Sequence, residues 1–203
     1  KGSGKNVKLY IQFNNPGKVL AKVGISAVSA EGALQNLNAE IPDFNFKKTE
    51  NQAKAAWNKE LSKIAVESTD KNKLSIFYTA LYHCFSSPNL FMDVDGKYFG
   101  TDKKIHQAEG FDNYTVFSLW DTYRTEHPLL SIIDRKRSTD FINTFLNQYK
   151  NGGLLPIWEL AGNETFCMIG NHSIPVILDA YRKGITGFDA NLAFEAMKSA
   201  VNR

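Results

Sequence analysis

Two stretches of this chain hold side chains whose types and spacing could do chemistry. The first, Gly152 to Thr165, reads GGLLPIWELAGNET. Glycines and a proline bracket an apolar run that carries one indole, Trp158, and two carboxyls, Glu159 and Glu164. A glutamate beside an indole in an apolar pocket keeps its proton to higher pH, because desolvation disfavours the anion. A carboxyl still protonated near neutral pH can serve as a general acid. Plainer readings stand beside this one. Glu164 could be a helix N-terminal carboxylate favoured by the macrodipole, and Glu159 a solvated loop charge. The second stretch, FSLWDTYR (Phe117–Arg124), sets Trp120 beside Asp121, with Arg124 one helical turn after Trp120. An aromatic face that stacks on C–H groups, with a carboxylate and a guanidinium for hydroxyls, suits a sugar. The plainer reading is a core tryptophan with a structural Asp–Arg pair.

Smaller features follow. In CMIGNHS (Cys167–Ser173), Gly170 permits close backbone approach, and His172 could bond a hydroxyl or a carboxylate or could be a satisfied structural histidine. Cys167 has no evident base beside it and reads as a buried, inert thiol. Asp93-Val94-Asp95-Gly96 looks like part of a calcium loop but lacks the bidentate Glu of an EF-hand. It reads as a tight turn between Phe91 and Tyr98. His83 and His106 lack metal-ligand spacing and read as structural.

The elements that must position these groups are mostly helical. Lys1–Asn6 reads as a loop. Val7–Phe13 and Lys18–Ser26 read as strands around the turn signal Asn14-Asn15-Pro16-Gly17. A lone hairpin is marginal in water, so these two are expected to belong to a larger sheet domain. Helical signals cover Ser29–Glu40, Asn51–Glu67, Leu74–Phe85 (dense enough in apolar residues to be buried), Thr115–His127 stopped by Pro128, Ser138–Lys150 ending at Asn151-Gly152-Gly153, Met168–Lys183, and Leu192–Val201. A helical-hairpin array, with an (α/α) toroid as its closed form, or an ordinary helical bundle would both satisfy this pattern. No short internal repeat points to a solenoid.

Composition narrows the function classes. With 43% hydrophobic and 12% aromatic residues the chain can bury a sizeable core, which excludes intrinsic disorder. The net charge of +3 comes from scattered basic residues with only short clusters at Lys47-Lys48 and Arg135-Lys136-Arg137, so there is no basic stripe for nucleic acid. Two cysteines, Cys84 and Cys167, do not make a disulfide framework. No signal peptide or membrane span is visible.

The longer motifs together resemble glycoside hydrolase family 92, the calcium-dependent exo-α-mannosidases. They are FYTALYH (Phe77–His83), DVDGKYFG (Asp93–Gly100), NYTVFSLWDTYRTEHPLL (Asn113–Leu130) and GGLLPIWELAGNETFCMIGNHSIPVILDAYRKGI (Gly152–Ile185). The similarity runs from about Val19 to the C-terminus, in family order. It implies a mainly α fold: the first part of an (α/α)6 toroid, preceded by a β-strand remnant of an N-terminal β-sandwich. Residues 1–45 would be the end of that sandwich and a linker helix, and residues 46–203 the first part of the catalytic domain. It also implies an inverting hydrolase of terminal α-linked mannose, with α-1,2 linkages as a candidate preference, and a periplasmic or extracellular setting. Its partner would be a mannose-containing glycan, with no nucleic acid and no membrane span. In such enzymes an acid and a base flank the bond, roughly 6.5–9.5 Å apart to admit a water. The resemblance makes Glu164 the acid, with Glu159 as fallback, and puts Trp120, Asp121, Arg124, Glu159 and His172 around the sugar. The base and the calcium ligands would fall beyond this chain, which alone would then be inactive. Two alternatives remain open: another α/α-toroid glycoside hydrolase, or a non-catalytic helical carbohydrate-binding or scaffold module.

Overall fold

The structure is a computed structural model and describes residues 7–15 and 17–202. The loop expected over residues 1–6, and Pro16 of the expected turn, lie outside the described residues. Helix α1 (Ala30–Glu40) starts where the Ser29 side chain accepts a bond from the Gly32 amide. It is followed by α2 (Phe46–Leu61) and α3 (Lys71–Cys84), capped by Asn45 and Asp70. Six short strands come next in three antiparallel pairs. Strand β1 (Asn89–Leu90) pairs with β4 (Tyr114–Thr115), β2 (Lys97–Phe99) with β3 (Ile105–Gln107), and β5 (Phe117–Ser118) with β6 (Trp158–Glu159). Between β5 and β6 lie α4 (Leu119–Thr122), α5 (Glu126–Ile133) and α6 (Arg135–Gly152). Helices α7 (Ser173–Arg182) and α8 (Ala190–Val201) complete the order. No helix among the described residues is long and apolar enough to cross a membrane.

The core sits among α5, α6, α7 and α8. Helix α6 presents Phe141, Ile142, Phe145 and Leu146, a helical repeat that forms one apolar face. Phe117 from β5 meets it edge-on, 4.8 Å from the Phe145 ring and 5.4 Å from Phe141. Asp134 closes α5 and caps α6 by accepting from the Arg137 amide, so the two helices turn sharply on one residue. Gly153 ends α6 in the left-handed conformation, as the Asn151-Gly152-Gly153 signal predicts.

The N-terminal helices are held differently. Helix α2 buries no residue completely, and α3 buries only Leu81. Trp57 meets Tyr82 at 4.4 Å between them. Lys63 and Arg137 approach the Phe85 ring at 5.1 and 5.0 Å, and they share Glu60 and Asp134 as ion-pair partners. Helix α1 is tied down through Asp93, which is buried and accepts from Ser26 Oγ at 2.7 Å and Asn36 Nδ2 at 2.8 Å. The Asp93–Gly96 turn forms as expected, with Gly96 at φ 82° donating to the Asp93 carbonyl.

Several expectations are corrected. Val7–Phe13 and Lys18–Ser26 form no strand among the described residues, and Leu9 and Tyr10 lie exposed. Lys18–Ser26 lies against α1 instead: Asn36 Nδ2 donates to the Ile25 carbonyl, Lys22 Nζ to the Ile41 carbonyl, and a Cβ on Gly24 would sit 2.2 Å from the Ala33 oxygen. Helix α3 was expected to be buried; instead Ile76 is 70% exposed, because α2 covers only one side of it. The single helix expected over Thr115–His127 is two strands and two short helices. Val116 at φ 68° interrupts it, and Pro128 lies in the first turn of α5, where its missing N–H breaks no bond. The helix expected from Met168 begins only at Ser173, with Pro175 again in the first turn.

Two titratable groups at the start of α5 are shielded from water, His127 buried and Glu126 half-buried. Burial raises the Glu126 carboxyl from 4.5 to about 7, and it lowers His127, packed edge-on against Phe141, from 6.5 to about 4. One Glu126 oxygen has no bonding partner. A carboxyl whose folded pKa lies above its unfolded value favours the fold while both states hold the proton; that advantage is lost as pH rises from 4.5 through about 7. Glu126→Gln should therefore raise stability relative to the parent protein at pH 8 and give no gain at pH 4, as read by urea unfolding at the two pH values.

Candidate active site

The β5–β6 pair is the frame of the site. Ser118 lies opposite Trp158 and Phe117 opposite Glu159. After β6 the chain reverses in a tight turn: Leu160 and Asn163 exchange both backbone bonds, at 2.8 and 3.0 Å. The two residues at its tip, Ala161 and Gly162, have φ of 51° and 71°. Both being left-handed, this is the primed turn whose twist matches a β-hairpin. Glu164 then returns opposite Glu159 in an isolated bridge. The segment is a hairpin, so neither plainer reading of the carboxyls holds: Glu164 does not start a helix, and Glu159 is not solvated.

The two carboxyls occupy contrasting places. Glu159 is 1% exposed. It accepts from the Thr115 hydroxyl at 3.0 and 3.1 Å and from the Gly162 amide at 2.7 Å. Burial pushes its pKa up to about 7; the Gly162 amide and the Thr115 hydroxyl oppose that, and the nearby Glu164 charge adds to it. Glu164 is half-buried. It accepts from the backbone amides of Ile157 at 2.8 Å, Trp158 at 3.1 Å and Phe166 at 3.1 Å. These bonds fix the carboxyl to the hairpin backbone on both sides of the turn.

The aromatic cluster follows directly from β5. Trp120 is 43% exposed on α4, so it is not a core residue. Asp121 makes a short bond with Ser118 Oγ. Arg124 lies past the end of α4 and donates to the Tyr123 hydroxyl at 2.6 Å, its guanidinium 5.1 Å from the ring centre, while Asp121 is bonded to Ser118. The His172 ring packs on Tyr123 at 4.5 Å and leaves Nδ1 without a partner. Gly170 lets it approach, since a Cβ there would sit 2.4 Å from the imidazole. Asp121 is thus held on Ser118, and Arg124 and His172 on Tyr123, with Trp120 between them in the chain on α4. Through the β5–β6 pairing they adjoin the hairpin that carries both carboxyls. Thr115 and Tyr123 went unremarked in the sequence. Thr115 gives no signal there, because its role depends on β4 ending beside the turn.

Cys167 is exposed, 3.0 Å from Thr165 Oγ1, and not the buried thiol expected from its surroundings in sequence. Both cysteines are free. Among the described residues no three His, Cys, Asp or Glu side chains form a group that could hold a metal. Asp93, in the stretch that looked like a calcium loop, has both oxygens engaged by Ser26 and Asn36. The side chains present do not by themselves fit a calcium ion.

Residues 32–203 match the glycosyl hydrolase family 92 catalytic domain. The chain belongs to that family. Its mainly helical fold is similar to the family GH92 α-mannosidase BT3965 from Bacteroides thetaiotaomicron, at 44% identity and a TM-score of 0.81 over 86% of this chain and 24% of that one. A structure of BT3965 in complex with mannoimidazole aligns at the same TM-score, over 86% of this chain and 23% of that one. The family GH92 inverting mannosidase BT2199 from the same organism is 31% identical, with a TM-score of 0.79 over 85% of this chain and 24% of that one. An uncharacterized secreted glycosidase from Arthroderma benhamiae is 27% identical over 93% of this chain and 21% of its own length. The chain spans about a quarter of the length of these relatives.

The turn makes a stability prediction. Gly162 is left-handed, and a Cβ there would lie 2.8 Å from the Phe99 carbonyl oxygen. Gly162→Ala should cost at least about 1–2 kcal/mol, the penalty for a left-handed L-residue before any clash. Chemical denaturation of the variant against the parent protein measures it.

Proposed function

We propose that this chain forms part of the catalytic domain of an inverting exo-α-mannosidase that removes terminal α-linked mannose from glycans. Family membership supports hydrolysis of glycosidic bonds, and the similarity to α-mannosidases, one of them inverting and one bound to mannoimidazole, supports mannose and single displacement. On this reading residues 46–203 are the first part of an (α/α)6 domain, and residues 1–45 the end of an N-terminal β-sandwich domain with a linker helix. The secreted fungal relative supports a setting outside the cytoplasm.

In single displacement the acid gives its proton to the departing glycosidic oxygen as the bond to the anomeric carbon breaks. A water attacks that carbon from the opposite face and loses its proton to a base. The observation that carries the donor assignment is exposure. Glu164 is half-buried on the outgoing arm of the hairpin, whereas Glu159 is 1% exposed and engaged inward. A proton donor must come within hydrogen-bond reach of the leaving oxygen, and Glu164 is the less buried of the two carboxyls. Trp120 would stack on the sugar, Asp121 and Arg124 would bond hydroxyls, and His172 would flank them from the N-cap of α7. The base would come from the remaining three quarters of the enzyme. One observation favours Glu159 as a second reading: burial keeps its proton up to about pH 7.

One pair of variants separates these readings in an enzyme of the relatives' full length. Glu164→Gln should lower kcat by roughly 10²–10⁴-fold on mannosides with poor leaving groups. It should spare 2,4-dinitrophenyl mannoside, whose leaving group needs no proton, and Glu159→Gln should be milder. The reverse ranking would move the donor to Glu159. Calcium ligands would come from the rest of the enzyme. EDTA should abolish mannose release by the full-length protein, calcium should restore it, and the 203-residue chain alone should release none; a panel of mannobioses would read linkage, α-1,2 first.

A further inference from the structure

We propose that Glu159 and Thr115 are positioning residues that hold the left-handed hairpin turn in register and thereby aim Glu164 at the leaving oxygen. This rests on the reading of Glu164 as proton donor.

Backbone strain is concentrated here. Among the described residues five that are not glycine have positive φ: Asn15, Lys103, Val116, Ala161 and Phe166. Four of the five touch this hairpin or its supports. Ala161 forms the turn and donates its amide to Thr115 Oγ1 at 2.6 Å. Phe166 donates its amide to Glu164. Lys103 gives its ammonium to the Gly162 carbonyl and the Asn163 side chain, both at 2.9 Å. Val116 follows Thr115 directly, and left-handed backbone is least tolerated in a β-branched residue. Such conformations persist only where the surroundings over-determine them.

Thr115 and Glu159 supply that over-determination. The Thr115 hydroxyl donates to the Glu159 carboxyl and accepts from Ala161, while the Gly162 amide closes the loop onto Glu159 Oε1. Both amides at the turn's tip are therefore held by two buried side chains from separate strands, β4 and β6. Releasing either would let the turn relax toward ordinary φ values, and Glu164 lies two residues beyond Gly162. A displacement of about 1 Å in a catalytic group can cost on the order of 10²-fold in rate.

The test uses the full-length enzyme with Thr115→Val, Thr115→Ser, Glu159→Gln and Glu164→Gln. Thr115→Val keeps shape and removes the hydroxyl; Thr115→Ser keeps the hydroxyl. The expected result is a kcat loss of roughly 10–100-fold in Thr115→Val on a poor-leaving-group mannoside. KM should stay within about twofold, the loss should shrink on 2,4-dinitrophenyl mannoside, and Thr115→Ser should recover most of it. Glu159→Gln should follow Thr115→Val; if it does not fold, the Thr115 pair decides alone. Unchanged kcat in Thr115→Val with only a lowered Tm overturns the positioning role and leaves the donor assignment standing. A larger leaving-group effect in Glu159→Gln than in Glu164→Gln makes Glu159 the donor and overturns both. A kcat loss in Thr115→Val that is equal on both leaving groups also overturns the proposal, because the donor is then not what moved.

Discussion

A carboxyl taken out of water at Glu159 is the constraint around which this part of the chain is arranged. An unpaired buried carboxyl is costly. Here the cost is met by a hydroxyl from β4 and an amide from the far side of a turn, which forces three separate pieces of backbone to meet at one point. The turn is left-handed at both tip residues, and the second is held to glycine by the Phe99 carbonyl oxygen, 2.8 Å from where its Cβ would lie. Glu164 inherits its position from that arrangement. One polar burial thus dictates local backbone, strand pairing and the placement of a second carboxyl.

Much of the fold was legible in the sequence where one element decides its own fate. Helix α1 starts at the serine that caps it, α6 ends at the Asn151-Gly152-Gly153 signal, and the Asp93–Gly96 turn forms. The reading failed where tertiary partners decide. The Thr115–His127 stretch has helical composition, but pairing with residues forty or more positions later draws Phe117 and Ser118 into a strand. The apolar pattern of α3 implied burial, and only contact with another element could have supplied it. The N-terminal segments had strand-type residues but no strand to pair with among the described residues.

The candidate site was legible in part for the same reason. The carboxyls, Trp120 and Asp121 announced themselves by type and by neighbours in sequence. The assignment of inside and outside to Glu159 and Glu164 did not. Five residues apart around a turn, they differ in exposure because of Thr115, forty-four positions earlier than Glu159. Tyr123 likewise acquired its role, as the ring on which Arg124 and His172 rest, only when α7 came alongside.

The attachment of α2 and α3 has a consequence of its own. The α5–α8 core is held by apolar contact that salt leaves intact, but α2 reaches it through Glu60, Lys63, Asp134 and Arg137 clasped about the Phe85 ring. Those charges are partly exposed, and at 1 M salt the screening length falls to about 3 Å, the span of the ion pairs themselves. The protein therefore has two mechanical regimes in one chain. Ionic strength acts on the N-terminal clasp and passes over the core, so brine would slacken the outer helices while the hairpin and its buried carboxyl stay in place.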